Sequence, residues 1–132
     1  MRELIVQTRE RCQMVDVTGE ILETVAACGV EDGVCVLFVP HTTAGIVINE
    51  NADPDVTRDI LDGLDAIVPR LQYRHMEGNS DAHIKSALIG TSLTLIIVDG
   101  ELQLGTWQGI YFCEFDGPRE RKLYVRTVQA EG

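Results

Sequence analysis

Positive charge is what this sequence has least of. It carries 11 Lys and Arg against 21 Asp and Glu, a net charge of −10, and a field of that sign repels phosphate backbones and anionic lipid head groups. Neither nucleic acid nor a membrane surface is expected as a partner. Arg119, Arg121 and Lys122 do cluster, but Asp116 and Glu120 interleave with them, which suits a small anion better than a polyanion. Aromatic residues are also few, 5 % of the chain against 45 % apolar overall, so the core must come mainly from Val, Ile and Leu. Cys12, Cys28, Cys35 and Cys113 form no CxxC pair. Three of the four sit among apolar residues, where a reduced thiol packs as a small hydrophobe. No apolar run approaches the roughly 18 residues of a membrane helix, and none follows Met1-Arg2-Glu3-Leu4 as a secretory leader demands. The expected address is the cytoplasm.

The 132 residues fit one domain, able to bury roughly two thirds of its unfolded surface without a disulfide or metal staple. Residues 4–8 and 12–17 read as extended segments and Thr18 as a helix cap. Ile21, Leu22, Val25 and Ala26 give the helix an apolar face, and Gly29 stops it. The unbroken apolar run 34–39 predicts a strand buried on both faces. A second apolar strand, 45–48, follows the polar run His41-Thr42-Thr43-Ala44. Asp53-Pro54 starts a helix with Val56, Ile60, Leu64 and Ile67 on one face and Asp55, Asp59 and Asp62 on another. After an irregular segment from 70 to 79, Ser80 caps a short helix with Ile84, Ala87 and Leu88 as its apolar face. The β-branched run 91–98 turns at Asp99-Gly100 into 101–104, and strands at 110–115 and 122–128 complete a meander. Strands outnumber helices and no βαβ unit recurs, so the expected fold class is α+β, in one domain spanning 1–132.

His41, His75 and His83 are the only histidines, and they lie in polar breaks that also hold Asn49, Glu50, Asn51, Glu77 and Asn79. Spacing alone favours partly buried, hydrogen-bonded histidines. A three-histidine metal site is the alternative, with the carboxamides and carboxylates suited to support the ligands. The Asp55, Asp59, Asp62 stripe offers Mg²⁺ one or two carboxylates, although such stripes are mostly solvated helix faces; Asp59 borders Val56 and Ile60 and is the best placed. Ser80, Asp81 and His83 share one helix turn and cannot make a nucleophile, base and orienter. Cys113 has no base near it in sequence to activate the thiol. Trp107 lies with Gln108 between Gly105 and Gly109, either a core anchor or a ring on which a ligand stacks. Arg119 follows the turn Asp116-Gly117-Pro118, which is either plain turn chemistry or a rigid setting in which its fork grips a phosphate.

Taken together, the stretches His41-Thr42-Thr43-Ala44-Gly45, Asn49-Glu50-Asn51, Asp53-Pro54-Asp55-Val56, His75-Met76-Glu77-Gly78-Asn79-Ser80 with His83, Gly105-Thr106-Trp107-Gln108 and Asp116-Gly117-Pro118-Arg119 resemble the YjbQ-like family. Its better-studied members are described as secondary thiamine-phosphate synthases. The resemblance implies a small β-sandwich-like α+β domain with about three helices, assembling as a homotrimer with sites near subunit contacts. It implies that His41, Glu50, Asp59 and Arg119 are catalytic and that Thr42, Thr43, Asn49, Asn79, Trp107 and Gln108 bind substrate. His41, His75 and His83 are then the expected ligands of a divalent metal, Zn or Mg. The implied reaction joins a pyrimidine diphosphate to a thiazole phosphate and releases diphosphate. A metal-dependent hydrolase and a non-catalytic trimeric module that binds a small ligand are the competing readings.

Overall fold

The computed structural model describes residues 1–131. In chain order the elements are β1 (Arg2–Gln7), β2 (Gln13–Asp16), α1 (Thr18–Cys28), β3 (Asp32–Phe38), β4 (Ala44–Glu50), α2 (Pro54–Ile67), α3 (Ser80–Ile89), β5 (Ser92–Val98), β6 (Glu101–Leu102), β7 (Gln108–Glu114) and β8 (Glu120–Gln129). The strands form two antiparallel sheets, one in the order β1-β8-β3-β5-β6 and the other β2-β7-β4. Their inner faces meet in a core of Cys35, Leu37, Ile97, Leu123 and Val125 against Ile46, Ile110 and Phe112, joined by Ile21 and Val25 of α1. Full burial of each such aliphatic or aromatic side chain is worth about 1.5–3 kcal/mol. α2 and α3 cover the outer face of the smaller sheet, where Leu64 and Ala82 pack with Cys113 and Phe115. The mixed α+β sandwich with three helices is therefore the architecture observed, and among the described residues no helix is long and apolar enough to cross a membrane.

Several local readings stand. Asp53 caps α2 by accepting the Asp55 N–H at 2.9 Å, with Pro54 at the first helical position. Asp99 and Gly100 both take positive φ, 52° and 77°, as a two-residue hairpin turn of this hand requires. Others change. β3 is not buried on both faces, because the outer face of the larger sheet has no covering layer; Phe38 is 45 % exposed, Ile96 59 % and Val128 47 %. Thr18 and Ser80 are the first helical residues rather than caps, and neither Val17 nor Asn79, which precede them, makes a side-chain cap bond. The Thr18 hydroxyl instead donates to Asp16 Oδ1 and accepts the Ile110 N–H.

α3 is turned opposite to its expected orientation. Its buried residues are Asp81, Ala82, Lys85 and Ser86, while Ile84 and Leu88 are exposed. Polar side chains can occupy the inward face because each is matched there. Arg11 donates to both Asp81 oxygens at 3.1 and 3.2 Å, Lys85 pairs with Asp65, and the Ser86 hydroxyl donates to Ala44 O at 2.6 Å. Cys28 is exposed and Cys12 partly so; only Cys35 and Cys113 are buried thiols.

Candidate functional site

A charged residue inside a run of buried ones needs a partner, and Glu114 finds it in Arg121. The two side chains are 0 % and 3 % exposed and come from different sheets, β7 and β8. Glu114 accepts from Arg121 Nε at 2.8 Å and Thr8 Oγ1 at 2.7 Å, and from the Asp116 N–H at 3.1 Å. Arg121 Nη2 also donates to Glu114, and to Thr43 O at 3.2 Å and Thr43 Oγ1 at 2.8 Å. Burial alone would raise the Glu114 pKa, but the Arg121, Thr8 and Asp116 hydrogen bonds outweigh it and hold the carboxyl below its ordinary value. The pair ties the His41–Thr43 segment and the 116–119 turn to one anchor.

That anchor positions His41. Its Nε2 accepts the Lys122 N–H at 2.9 Å, so the neutral ring carries its proton on Nδ1 and presents a donor. Burial first, then the nearby Arg121 and Arg119 charges, lower its pKa. His41 and Thr42 line a cavity of about 400 Å³ with His83, Ser86 and Thr91. Gly90 of this lining packs against Gly45, where a Cβ would lie 2.7 Å from Gly90 O. His83 also borders a neighbouring cavity of about 510 Å³, lined by Tyr73, Arg74, His75 and Ser80. The His75 and His83 rings meet edge to face at 5.2 Å between centroids. Beside them Asn79 Nδ2 donates to Asp116 Oδ2 at 2.8 Å, and Asn79 Oδ1 is buried without a partner. Arg119 donates from Nε to Asp116 O at 3.0 Å and from Nη2 to Asp116 Oδ2 at 3.1 Å, so part of its fork is already taken.

The expected three-histidine ligand set is not formed within this chain. An ion held by three histidines needs a lone pair from each imidazole, and the His41 lone pair is engaged by the Lys122 N–H. Among the described residues no three His, Cys, Asp or Glu side chains stand together as metal ligands. The single chain therefore does not fit the metal, and no chemical step is derived through one.

The remaining expected residues lie elsewhere. Asn49 and Glu50 end β4 and pair with Gly109 and Gln108 of β7. From Ala44 to Glu50 the strand runs about 20 Å, so this end lies far from His41. Trp107 is 64 % exposed and is no core anchor; Gln108 Oε1 accepts the Gly105 N–H at 2.7 Å, and the Asn51 N–H donates to Trp107 O at 3.0 Å. A Cβ at Gly109 would come within 2.5 Å of Asn51 Nδ2, so glycine there lets Asn51 close over the strand. Asp55, Asp59 and Asp62 are all exposed along α2, and Asp59 joins neither cluster. Thr43 is buried with its hydroxyl on Arg121.

Residues 2–130 match the family model described as UPF0047 protein YjbQ-like. The chain belongs to this family. The YjbQ-like chain is 53 % identical over 124 residues to UPF0047 protein MJ1081 of Methanocaldococcus jannaschii, covering 93 % of this chain and 90 % of that protein. It is 48 % identical to YugU of Bacillus subtilis, covering 97 % and 98 %. A YjbQ/UPF0047 crystal structure from Clostridium acetobutylicum superposes with a TM-score of 0.94 at 55 % identity, covering 97 % of this chain and all of that one. A Sulfolobus solfataricus structure described as a YbjQ-like protein of unknown function gives 0.94 at 31 %, covering 98 % and 96 %.

Sequence reasoning missed the Glu114–Arg121 anchor of this YjbQ-like chain, although its signal was present. Glu114 interrupts the run from Ile110 to Phe115, and Arg121 alternates with Leu123 and Val125, which face inward.

Proposed function

We propose that the protein is a cytoplasmic transferase of the secondary thiamine-phosphate synthase kind. On this reading it joins a pyrimidine diphosphate to a thiazole phosphate within a homotrimer whose sites are completed between copies. The observation that carries the reading is the division of the polar residues into two half-sites at opposite ends of β4. One holds His41, His75 and His83; the other holds Glu50, Trp107 and Gln108. The Glu50, Trp107 and Gln108 half-site holds no cation or histidine for a departing diphosphate, and no carboxylate lines the histidine groove to meet a developing positive charge, so each lacks what the other has. The uncovered face of the larger sheet supports a second copy as the missing partner. Register sets Val128, Val34 and Ile96 in one row and Tyr124 and Phe38 in another, separated by the row Arg126, Val36 and Thr94, an apolar face crossed by one charge, and uncovered apolar surface of this kind marks an interaction site.

In the reaction the thiazole nitrogen lone pair forms a C–N bond to the exocyclic methylene of the pyrimidine. The C–O bond to diphosphate breaks, and diphosphate leaves with that electron pair; no proton is consumed. Trp107 stacks on the pyrimidine, and the Glu50 carboxylate steadies the positive charge that develops on it. The free edge of Arg119 and the His41 Nδ1–H hydrogen-bond the departing diphosphate. The test is diphosphate release from the two substrates by the purified protein. His41→Ala and Trp107→Ala are each expected to reduce it by roughly 10²-fold or more. Release from the parent no greater than from those variants overturns the proposal.

A further inference from the structure

A reaction between two phosphorylated partners needs two anion sites, and Arg119, already bonded to Asp116, supplies one. The chain's cations show where the other lies. Of the 11 Lys and Arg, seven pair with a carboxylate: Arg11, Arg58, Arg70, Lys85, Arg119, Arg121 and Lys122. The four without an ion pair among the described residues are Arg2, Arg9, Arg74 and Arg126. Only Arg74 lines a histidine cavity, that of His75 and His83, and no carboxylate lines it with them. In a chain of net charge −10, an unpaired guanidinium at a cavity free of acids is a local reversal of the field.

We infer that Arg74 is the second anion-binding residue, gripping a phosphate group of a substrate in the His75/His83 cavity. The inference rests on the proposed transferase reading for the identity of that substrate, not for the binding itself. Arg74 is exposed, so its guanidinium is free to present two parallel N–H donors to a phosphate, as Arg does and Lys does not. The Ser80 hydroxyl, in the same lining, adds a neutral donor. Tyr73 does not compete, since its hydroxyl donates to Pro69 O at 2.5 Å. Asp81, the nearest buried acid in sequence, is turned toward Arg11 and Arg70, away from this lining. The site is a shallow, open depression of about 510 Å³, which leaves a bound phosphate group reachable from solvent.

The test titrates the full-length protein with inorganic phosphate and with diphosphate, reading the imidazole resonances of His75 and His83 by NMR. Both resonances are expected to move. Arg74→Gln is expected to weaken binding about tenfold or more, the value of one or two charge-assisted hydrogen bonds. Arg74→Lys is expected to fall between Arg74→Gln and the parent, and Arg9→Gln, an unpaired arginine outside the cavity, to bind like the parent. Parental affinity in Arg74→Gln overturns the inference, as does an equal loss in Arg9→Gln. If phosphate binds through Arg74 while no diphosphate is released from the two transferase substrates, the anion site stands and the transferase reading falls.

Discussion

Replacing Glu114 with Gln keeps the shape of the side chain and removes the only carboxylate that meets the Arg121 guanidinium, which is 3 % exposed. Gln also brings an amide N–H₂ to a position where Arg121 Nε and Nη2, Thr8 Oγ1 and the Asp116 N–H all donate, so at least one donor loses its acceptor. Breaking a buried pair from one side costs about 3–5 kcal/mol, against a total stability of about 5–15 kcal/mol. For a domain of this size that corresponds to a fall in Tm of roughly 10–20 °C. Thermal and urea unfolding, at fixed protein concentration so that association does not confound the comparison, measure it. Glu114→Leu with Arg121→Met should recover much of the loss, because an apolar pair leaves no buried charge. The pH dependence has a definite sign. The folded-state pKa of Glu114 is lowered, so its contribution is complete above about pH 5 and fades as acid protonates the folded carboxylate. The parent should therefore lose its advantage over Glu114→Gln on acidification below that range. A Glu114→Gln variant within about 1 kcal/mol of the parent at neutral pH would refute the claim that an ionised pair joins the sheets.

Three further outcomes follow from the same geometry. The His41 imidazole should titrate below its ordinary value of 6.5 because of its burial beside Arg121 and show the Nδ1–H tautomer in its ¹⁵N shifts; a midpoint above that value contradicts this burial, and an Nε2–H tautomer contradicts the bond from Lys122. Thiol labelling of the native protein should modify Cys28 first and Cys12 more slowly. Burial pushes the Cys35 thiol up to about 11 and the Cys113 thiol up to about 12, so these two should react only on unfolding, and early labelling of Cys113 counts against the core described here. Trp107→Ala should change the stability of the dissociated chain by no more than about 0.5 kcal/mol, as expected of an exposed residue, and a larger loss in urea would mean that the indole is packed after all.

The parts of the fold that follow local rules were legible. Asp53-Pro54, Gly29 and Asp99-Gly100 announce themselves because backbone geometry selects those residues. α3 misled because a helical stripe of Ile84, Ala87 and Leu88 reads as inward-facing. The stripe that is actually buried holds Asp81 and Lys85, acceptable there only because Arg11 and Asp65 meet them from 70 and 20 residues away in sequence. No local pattern carries that information. β3 misled for a related reason: an apolar strand is evidence of burial only when a second layer covers it, and Val34 and Phe38 lie on a face that this chain leaves bare. The histidines were correctly placed in polar breaks, and His75 and His83 do meet. His41 departs from the expected ligand set because a backbone N–H from Lys122, 81 residues on, takes its lone pair.

The most direct test of a site shared between copies is complementation by subunit mixing. His41→Ala leaves the Glu50 half-site intact, and Glu50→Gln leaves the histidine half-site intact, so each variant alone should release almost no diphosphate. After equal amounts are unfolded together and reassembled, a cyclic trimer with each site built from two neighbours should regain about one quarter of parental release, since one site in four combines both unaltered halves. Mixtures that release no more than the separate variants, from a parent that is active, would contradict a site completed between copies.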